Sequence, residues 1–269
     1  MATCSKYACT VRIILLGLAM GVPTLAPAAI HCIENELQFK PTLDTALASP
    51  NTVEEVRIKS GVYTFTSGSI GYFGVLQGTG KTLSIRGGWS GNAGSCTTQD
   101  GNAVATLLSG NGQRPVFAIN ASTTFTGSIT IENISFAGGF TNSGASPSAL
   151  GLGAQNGGVM GILLDRVWIE GNTTQAGVTA GALQLISESG LVVRNSLVVS
   201  NNSGASVPVN ISARAGQSNL FLNNTIAFNT SAHSLGYAGV FVSTSNGALM
   251  TLANNLFDGN IANAGQRAD

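Results

Sequence analysis

Glu132, Asp165 and Arg194 come nearest to a chemical site in this 269-residue chain. They lie 33 and 29 residues apart, a spacing that recurs along the sequence and would set them on neighbouring rungs of a stack. Two carboxylates and an arginine so placed suit a calcium-assisted polyuronate lyase, in which carboxylates hold Ca²⁺ against the substrate acid group and a base removes the adjacent proton. The same acids suit an acid-pair hydrolase if they stand about 5 to 9 Å apart. The plainer reading is solvated strand charge, with Arg194 neutralising Asp165. It is preferred, because a lyase would need further acids and a second convergent base. No metal or cofactor is therefore expected, calcium entering only with the lyase.

Other chemistry is sparse. His233 is the one histidine of the repeat region, in the Asn229–Tyr237 turn, and a lone loop histidine is more often a surface residue than a catalyst. No Gly-x-Ser-x-Gly elbow, phosphate-cradling loop or zinc motif occurs, and Gly78-Thr79-Gly80-Lys81 reads as a hairpin turn. Trp89 and Trp168 would stack on a sugar if exposed, but Trp168 has the parity of a core position and is expected inside.

Composition narrows the classes. Lys plus Arg and Asp plus Glu number 12 each, so there is no basic footprint for a nucleic acid. Hydrophobic residues make up 43%, too many for a disordered chain, and 35 glycines among many Asn, Ser and Thr point to short strands and frequent turns. Residues 1–28 read as a signal peptide. Lys6 and Arg12 are followed by a short apolar run to Val22, and Ala26-x-Ala28 precedes the cleavage point. The run falls short of the roughly 20 residues that span a bilayer, and no later segment is long and apolar enough to do so. Cleavage removes Cys4 and Cys9 and leaves Cys32 and Cys96. In an oxidising compartment this pair favours a disulfide over two buried thiols, worth roughly 4 kcal/mol in the chain-entropy model.

The elements that would position these residues come from a repeat. Segments beginning at Ile131, Leu164, Val193, Leu222 and Leu252 align, with third positions Asn133, Arg166, Asn195, Asn224 and Asn254 spaced 33, 29, 29 and 30 apart. Gly171-Asn172, Asn201-Asn202 and Gly259-Asn260 follow shortly after. A second series, Leu150/Leu152, Leu183/Leu185, Val209/Ile211 and Val240/Val242, repeats at a similar interval. Alternation of period two marks strands with one buried face, and stacked units bury what one unit cannot. A leucine-rich horseshoe would need a shorter period and an Asn beyond a Leu-x-Leu strand. A parallel β-helix fits better, with Asn133, Asn195, Asn224 and Asn254 as an inward ladder of stacked amides. The residues just before them, Glu132, Asp165, Arg194, Asn223 and Ala253, then face outward. Glu36 to Ala48 is the one plausible helix of the mature chain and would cover the first rung.

The Gly61-Val62-Tyr63 opening, the Leu83-Ser84-Ile85-Arg86-Gly87-Gly88-Trp89 segment followed by Cys96, and the Asn-centred rungs resemble secreted bacterial right-handed β-helix repeat proteins of the pectin-lyase-like fold, over roughly residues 30 to 260. The resemblance implies a Cys32–Cys96 disulfide. It does not bring the glycosidase set of that fold: Asn-x-Asp, Asp-Asp and His-Gly are absent from this sequence, and Arg-x-Lys occurs only as Arg57-Ile58-Lys59, without the other three.

The expectation is an all-β, right-handed parallel β-helix of about seven coils. A signal peptide occupies 1–28, a cap region 29–55, the β-helix 56–260 and a tail 261–269. It is expected to be exported, to the outside, the cell surface or the periplasm, as a non-catalytic adhesion or glycan-contact module. Its partner would be a polysaccharide or cell-surface glycan, with a further contact at the uncapped C-terminal end. The alternatives are a carbohydrate-active enzyme working from Glu132, Asp165 and Arg194, and a structural fragment of a longer surface protein.

Overall fold

The structure is a computed structural model that describes residues 28–144, 146–154, 157–214, 218–233, 237–262 and 266–267. The expected signal peptide lies outside them, Ala28 excepted. From Thr126 to Thr244 each turn of the chain lays strands on three sheets. The long sheet runs Ala29–Ile33, Val53–Lys59, Thr79–Ser90, Thr126–Ala137, Val159–Glu170, Leu191–Arg194, Ser218–Leu222, Leu249–Ala253, every pair parallel. The second sheet has six strands, from Tyr72–Leu76 through Phe117–Ala121, Leu150–Ala154, Leu183–Ser187 and Val209–Ala213 to Val240–Thr244. A third sheet stacks two-residue strands from Phe140–Thr141 to Ile261–Ala262, where Gln266–Arg267 pairs antiparallel. The result is a parallel β-solenoid of about six turns. The strand Ala29–Ile33 adds an edge to the long sheet ahead of the helix.

Period-two burial builds the core. Leu183 and Leu185 point inward and stack between Leu150/Leu152 and Val209/Ile211, with Val240/Val242 beyond, the register that the sequence spacing implies. A single residue turns the long sheet into its second leg on each of five rungs. Asn133, Arg166, Asn195, Asn223 and Asn254 all hold φ between 52° and 55° there. Asparagine tolerates this left-handed conformation better than most residues, whereas Arg166 occupies it at a cost.

That bend corrects two expectations. It consumes one residue without advancing the alternation, so Val167 and Ile169 face the core and Trp168 faces outward, half-buried. The bend residue is also not the inward amide. Asn133, Asn195 and Asn254 occupy the bend, whereas Asn224 lies one position further on, because Leu222 pairs with Arg194 and so places Asn223 opposite Asn195. The expected ladder of Asn133, Asn195, Asn224 and Asn254 is therefore split between two positions.

Two inward ladders take its place. At the bend, Val167 N donates to Ser196 Oγ, Ser196 N to Asn224 Oδ1, and Asn224 Nδ2 to Asn255 Oδ1 at 3.1 Å. At the next corner Asn172, Asn201, Asn229 and Asn260 are fully buried, each Nδ2 donating to the next Oδ1 at 2.9 to 3.0 Å. The backbone N–H groups of Asn172, Asn201 and Asn229 reach the same oxygens. Buried polar groups are stable only when so satisfied.

The helix Glu36–Ala48 closes the N-terminal end. Asn35 caps it by accepting from Gln38 N, and Gln38 Oε1 accepts from Glu34 N. Phe39, Leu43, Ala46 and Leu47 form its buried stripe. The Phe39 ring meets Phe65, Tyr63, Tyr72 and Phe117 at centroid distances of 5.1 to 6.4 Å and plugs the core. Buried Lys81 donates to the carbonyls of Ala46, Leu47 and Ser49, a cation on the negative end of the helix. Burial holds its ammonium below the usual lysine range, against the pull of Glu54.

Between Thr79–Ser90 and Thr106–Ser109 the chain makes an excursion across the N-terminal edge. Gly88 begins it with φ +74°, and a Cβ there would fall 2.2 Å from Asp100 O. Cys96, on this excursion, forms a disulfide with Cys32 on the first strand. Glu34 accepts from Gly94 N and pairs with Lys59, which holds its carboxyl below the usual range.

Candidate functional site

Arg57, Arg86, Glu132, Asp165 and Arg194 are register partners on successive rungs, so the solenoid gathers them into one outward column. Asn223 and Ala253 were expected to continue it; Ala253 does, as the register partner of Leu222, but Leu222 stands in the column where Asn223 was expected, and Asn223 lies in the bend. Glu132 and Asp165 are thus adjacent, as the spacing implies. Their surroundings are basic. Arg166 reaches back from its bend to pair with Glu132, with Asp165 Oδ2 at 3.0 Å and with Asn133 Oδ1 at 2.7 Å. Arg86 Nε lies 3.3 Å from Glu132 Oε2, and Arg194 Nη2 3.1 Å from Asp165 Oδ2. Asn195 Nδ2 takes the other oxygen, Asp165 Oδ1, at 2.8 Å. Each carboxylate is therefore held by two guanidiniums. A calcium ion would have to displace them, so these acids do not fit a calcium cradle. The repeat alignment had read Arg166 only as an exception to asparagine and missed its bridging role.

The tryptophans are similarly occupied. Trp89 is buried under the Arg57 guanidinium, 4.1 Å from ring centroid to Cζ, and Arg57 also donates to Cys96 O. Trp168 lies beside Ser135 and Leu197 on neighbouring rungs.

The outer face of the second sheet differs. One outward row runs Phe73, Ala118, Gly151, Gln184, Asn210, Phe241, and a second runs Val75, Asn120, Gly153, Ile186, Ser212, Ser243. Neither row contains a charge. Ala118, Gly151 and Gly153 make a shallow floor, walled by Pro147 and Ile186. Phe73, nearly half exposed, is shared by this trough and by two larger clefts under the cap helix. One, of about 570 Å³, includes Asp44, Leu47 and Gln77; the other, of about 680 Å³, includes Leu37, Lys40 and Ile70. At the far end His233 stacks on Tyr237 at 5.3 Å, and Tyr237 lies 6.1 Å from Phe241. Five strand spacings separate the two aromatic ends, on the order of 24 Å. Aromatic faces with amide side chains between them can bind a long uncharged polar ligand by stacking and hydrogen bonding. Repeat analysis missed this face because its outward residues share no residue type from rung to rung.

Among the described residues no cluster of three or more His, Cys, Asp or Glu side chains is placed to hold a metal, and no helix is long and apolar enough to cross a membrane. Comparison with protein-family models, with curated proteins and with solved structures finds no match.

Proposed function

We propose that this protein is an exported, non-catalytic β-helix, right-handed and of the pectin-lyase-like type, that contacts an uncharged polysaccharide or surface glycan. The contact is made along the outer face of the second sheet. The observation that carries the reading is the charge-free trough with Phe73 at one end and the His233, Tyr237 and Phe241 stack at the other. The occupation of Glu132 and Asp165 by arginines supports binding over lyase chemistry. Export accords with the disulfide and with the signal-like N-terminus.

The test is a glycan-array and polysaccharide screen of the oxidised protein, with and without Ca²⁺, reading both binding and the ultraviolet absorbance of unsaturated products. Expected is binding to a neutral glycan, independent of Ca²⁺, weakened at least about tenfold in Phe73→Ala and Phe241→Ala, as for loss of a stacking contact of roughly 1.4 kcal/mol. Calcium-dependent absorbance lost in Glu132→Ala and Asp165→Ala would instead make the protein a lyase.

A further inference from the structure

At the corner where the second leg of the long sheet ends, one rung departs from the rest. Gly138, Gly171, Ser200, Phe228 and Gly259 follow register partners on five successive rungs, and all hold φ between 55° and 62°. Hydrogen bonds between rungs keep the chain in this conformation: Ser200 N donates to Ala227 O at 3.1 Å and Phe228 N to Asp258 O at 2.9 Å. Glycine adopts it freely, whereas a bulky side chain there strains the backbone. Among the described residues Phe228 is the only aromatic residue so placed. Burial does not repay the strain, since Phe228 is 61% exposed. Its ring lies over Gly259, where a Cβ would fall 2.7 Å from Phe228 Cδ1, so the next rung makes room for it by carrying no side chain.

A strained backbone kept under an exposed ring points to function rather than to stability. We propose that Phe228 is a stacking platform for a pyranose ring of a neutral glycan, at a site separate from the trough on the second sheet. An aromatic ring takes the C–H face of a sugar by dispersion, and hydroxyl and amide groups at its rim take the sugar hydroxyls. Such a rim is present. Ser200 stands in the same corner one rung back, and Asn202 and Thr230 lie in the adjoining outward row, all three exposed. Neither the corner column nor that row contains Lys or Arg, which suits an uncharged ring and not a uronate. Trp168 faces outward on the same leg two rungs before and offers a second ring to the same ligand, on the order of 10 Å away along the axis.

Depletion binding of the purified, disulfide-intact protein to microcrystalline cellulose, chitin and an insoluble β-1,3-glucan, read together with urea midpoints, tests this. The unmodified protein is retained by at least one polymer. Phe228→Gly weakens that retention at least about fivefold, as for loss of one stacked ring, and raises the urea midpoint because the strain is gone. Phe228→Ala weakens retention equally without the gain in midpoint, and Phe228→Tyr keeps both properties. Unchanged retention in Phe228→Gly, or a lowered midpoint, would overturn the platform and leave the trough standing if Phe73→Ala abolishes binding. Loss in Phe228→Gly beside full retention in Phe73→Ala supports the platform and sinks the trough. Failure of the unmodified protein to bind any of the three polymers sinks both.

Discussion

Arg166 does two things at once. It adopts the left-handed bend that asparagine fills on the other rungs, and it joins two carboxylates that the solenoid forces side by side. Arg166→Asn should relieve the first cost and lose the second benefit. The ion pairs are partly solvated, so the net loss is expected at about 1–2 kcal/mol, read from urea midpoints, and reduced by high salt. A gain in stability would mean that the bend dominates. The tyrosines under the cap give a second test. Burial, with the negative charge of Glu34, pushes the Tyr63 phenol up to about 12, and burial with Asp44 also raises Tyr72. A raised folded value stabilises below the ordinary phenol range near 10 and is lost as pH climbs from there toward 12. Ultraviolet phenolate titration of the folded protein should therefore lag that of the urea-denatured chain, and urea midpoints should fall across this window. Coincident titrations would place both rings in contact with solvent.

At the scale of the element, the corner amides hold the rungs together. Asn201 Nδ2 donates to Ile169 O, Val199 O and Asn229 Oδ1, while Asn201 Oδ1 accepts from Asn172. Removing it strands partners on both neighbouring rungs, each worth about 1–3 kcal/mol when left buried and unsatisfied. Asn201→Ala should therefore cost about 3 kcal/mol or more in chemical denaturation. Asn255→Ala, on the last described rung of the other ladder, should cost about 1 kcal/mol, since among the described residues it has a neighbouring rung on one side only. Equal losses would show that the ladders contribute through local turn geometry rather than through stacking.

For the whole molecule, a solenoid has few contacts beyond nearest neighbours, so its stability is a chain of local interfaces. The Cys32–Cys96 bond spans 64 residues and fastens the first strand to the excursion at the N-terminal end. Replacing both cysteines by alanine should cost about 2–4 kcal/mol. Hydrogen exchange should quicken first in Ala29–Ile33 and Glu36–Ala48, with Leu150–Ala154 and Leu183–Ser187 still protected. Uniform quickening would mean that the coils unfold as one unit.

Local signals determined much of this architecture. The period near 30, the apolar pairs from Leu150/Leu152 to Val240/Val242 and the helix from Glu36 to Ala48 were legible, because alternation and capping act between residues close in the chain. Cys32 and Cys96 were the only cysteines left once the N-terminal segment was set aside. Register was legible along the series from Leu150 to Val242 and from Glu132 to Arg194, but not at the bends and corners. Asn172, Asn201, Asn229 and Asn260 are separated by 29, 28 and 31 residues, since turns of different length join the strands, and an alignment by period alone slips by one at Asn223 and Asn224. One left-handed residue likewise reverses the facing of everything after it, which turned Trp168 outward. The pairing of Arg194 with Asp165 was already implied by the spacing, whereas only the stacked structure could bring Arg86 and Arg166 onto Glu132 and Asp165, or line up Phe73 and Phe241 on a charge-free face. Those neighbours are set by backbone hydrogen bonds between turns, which the linear order does not contain.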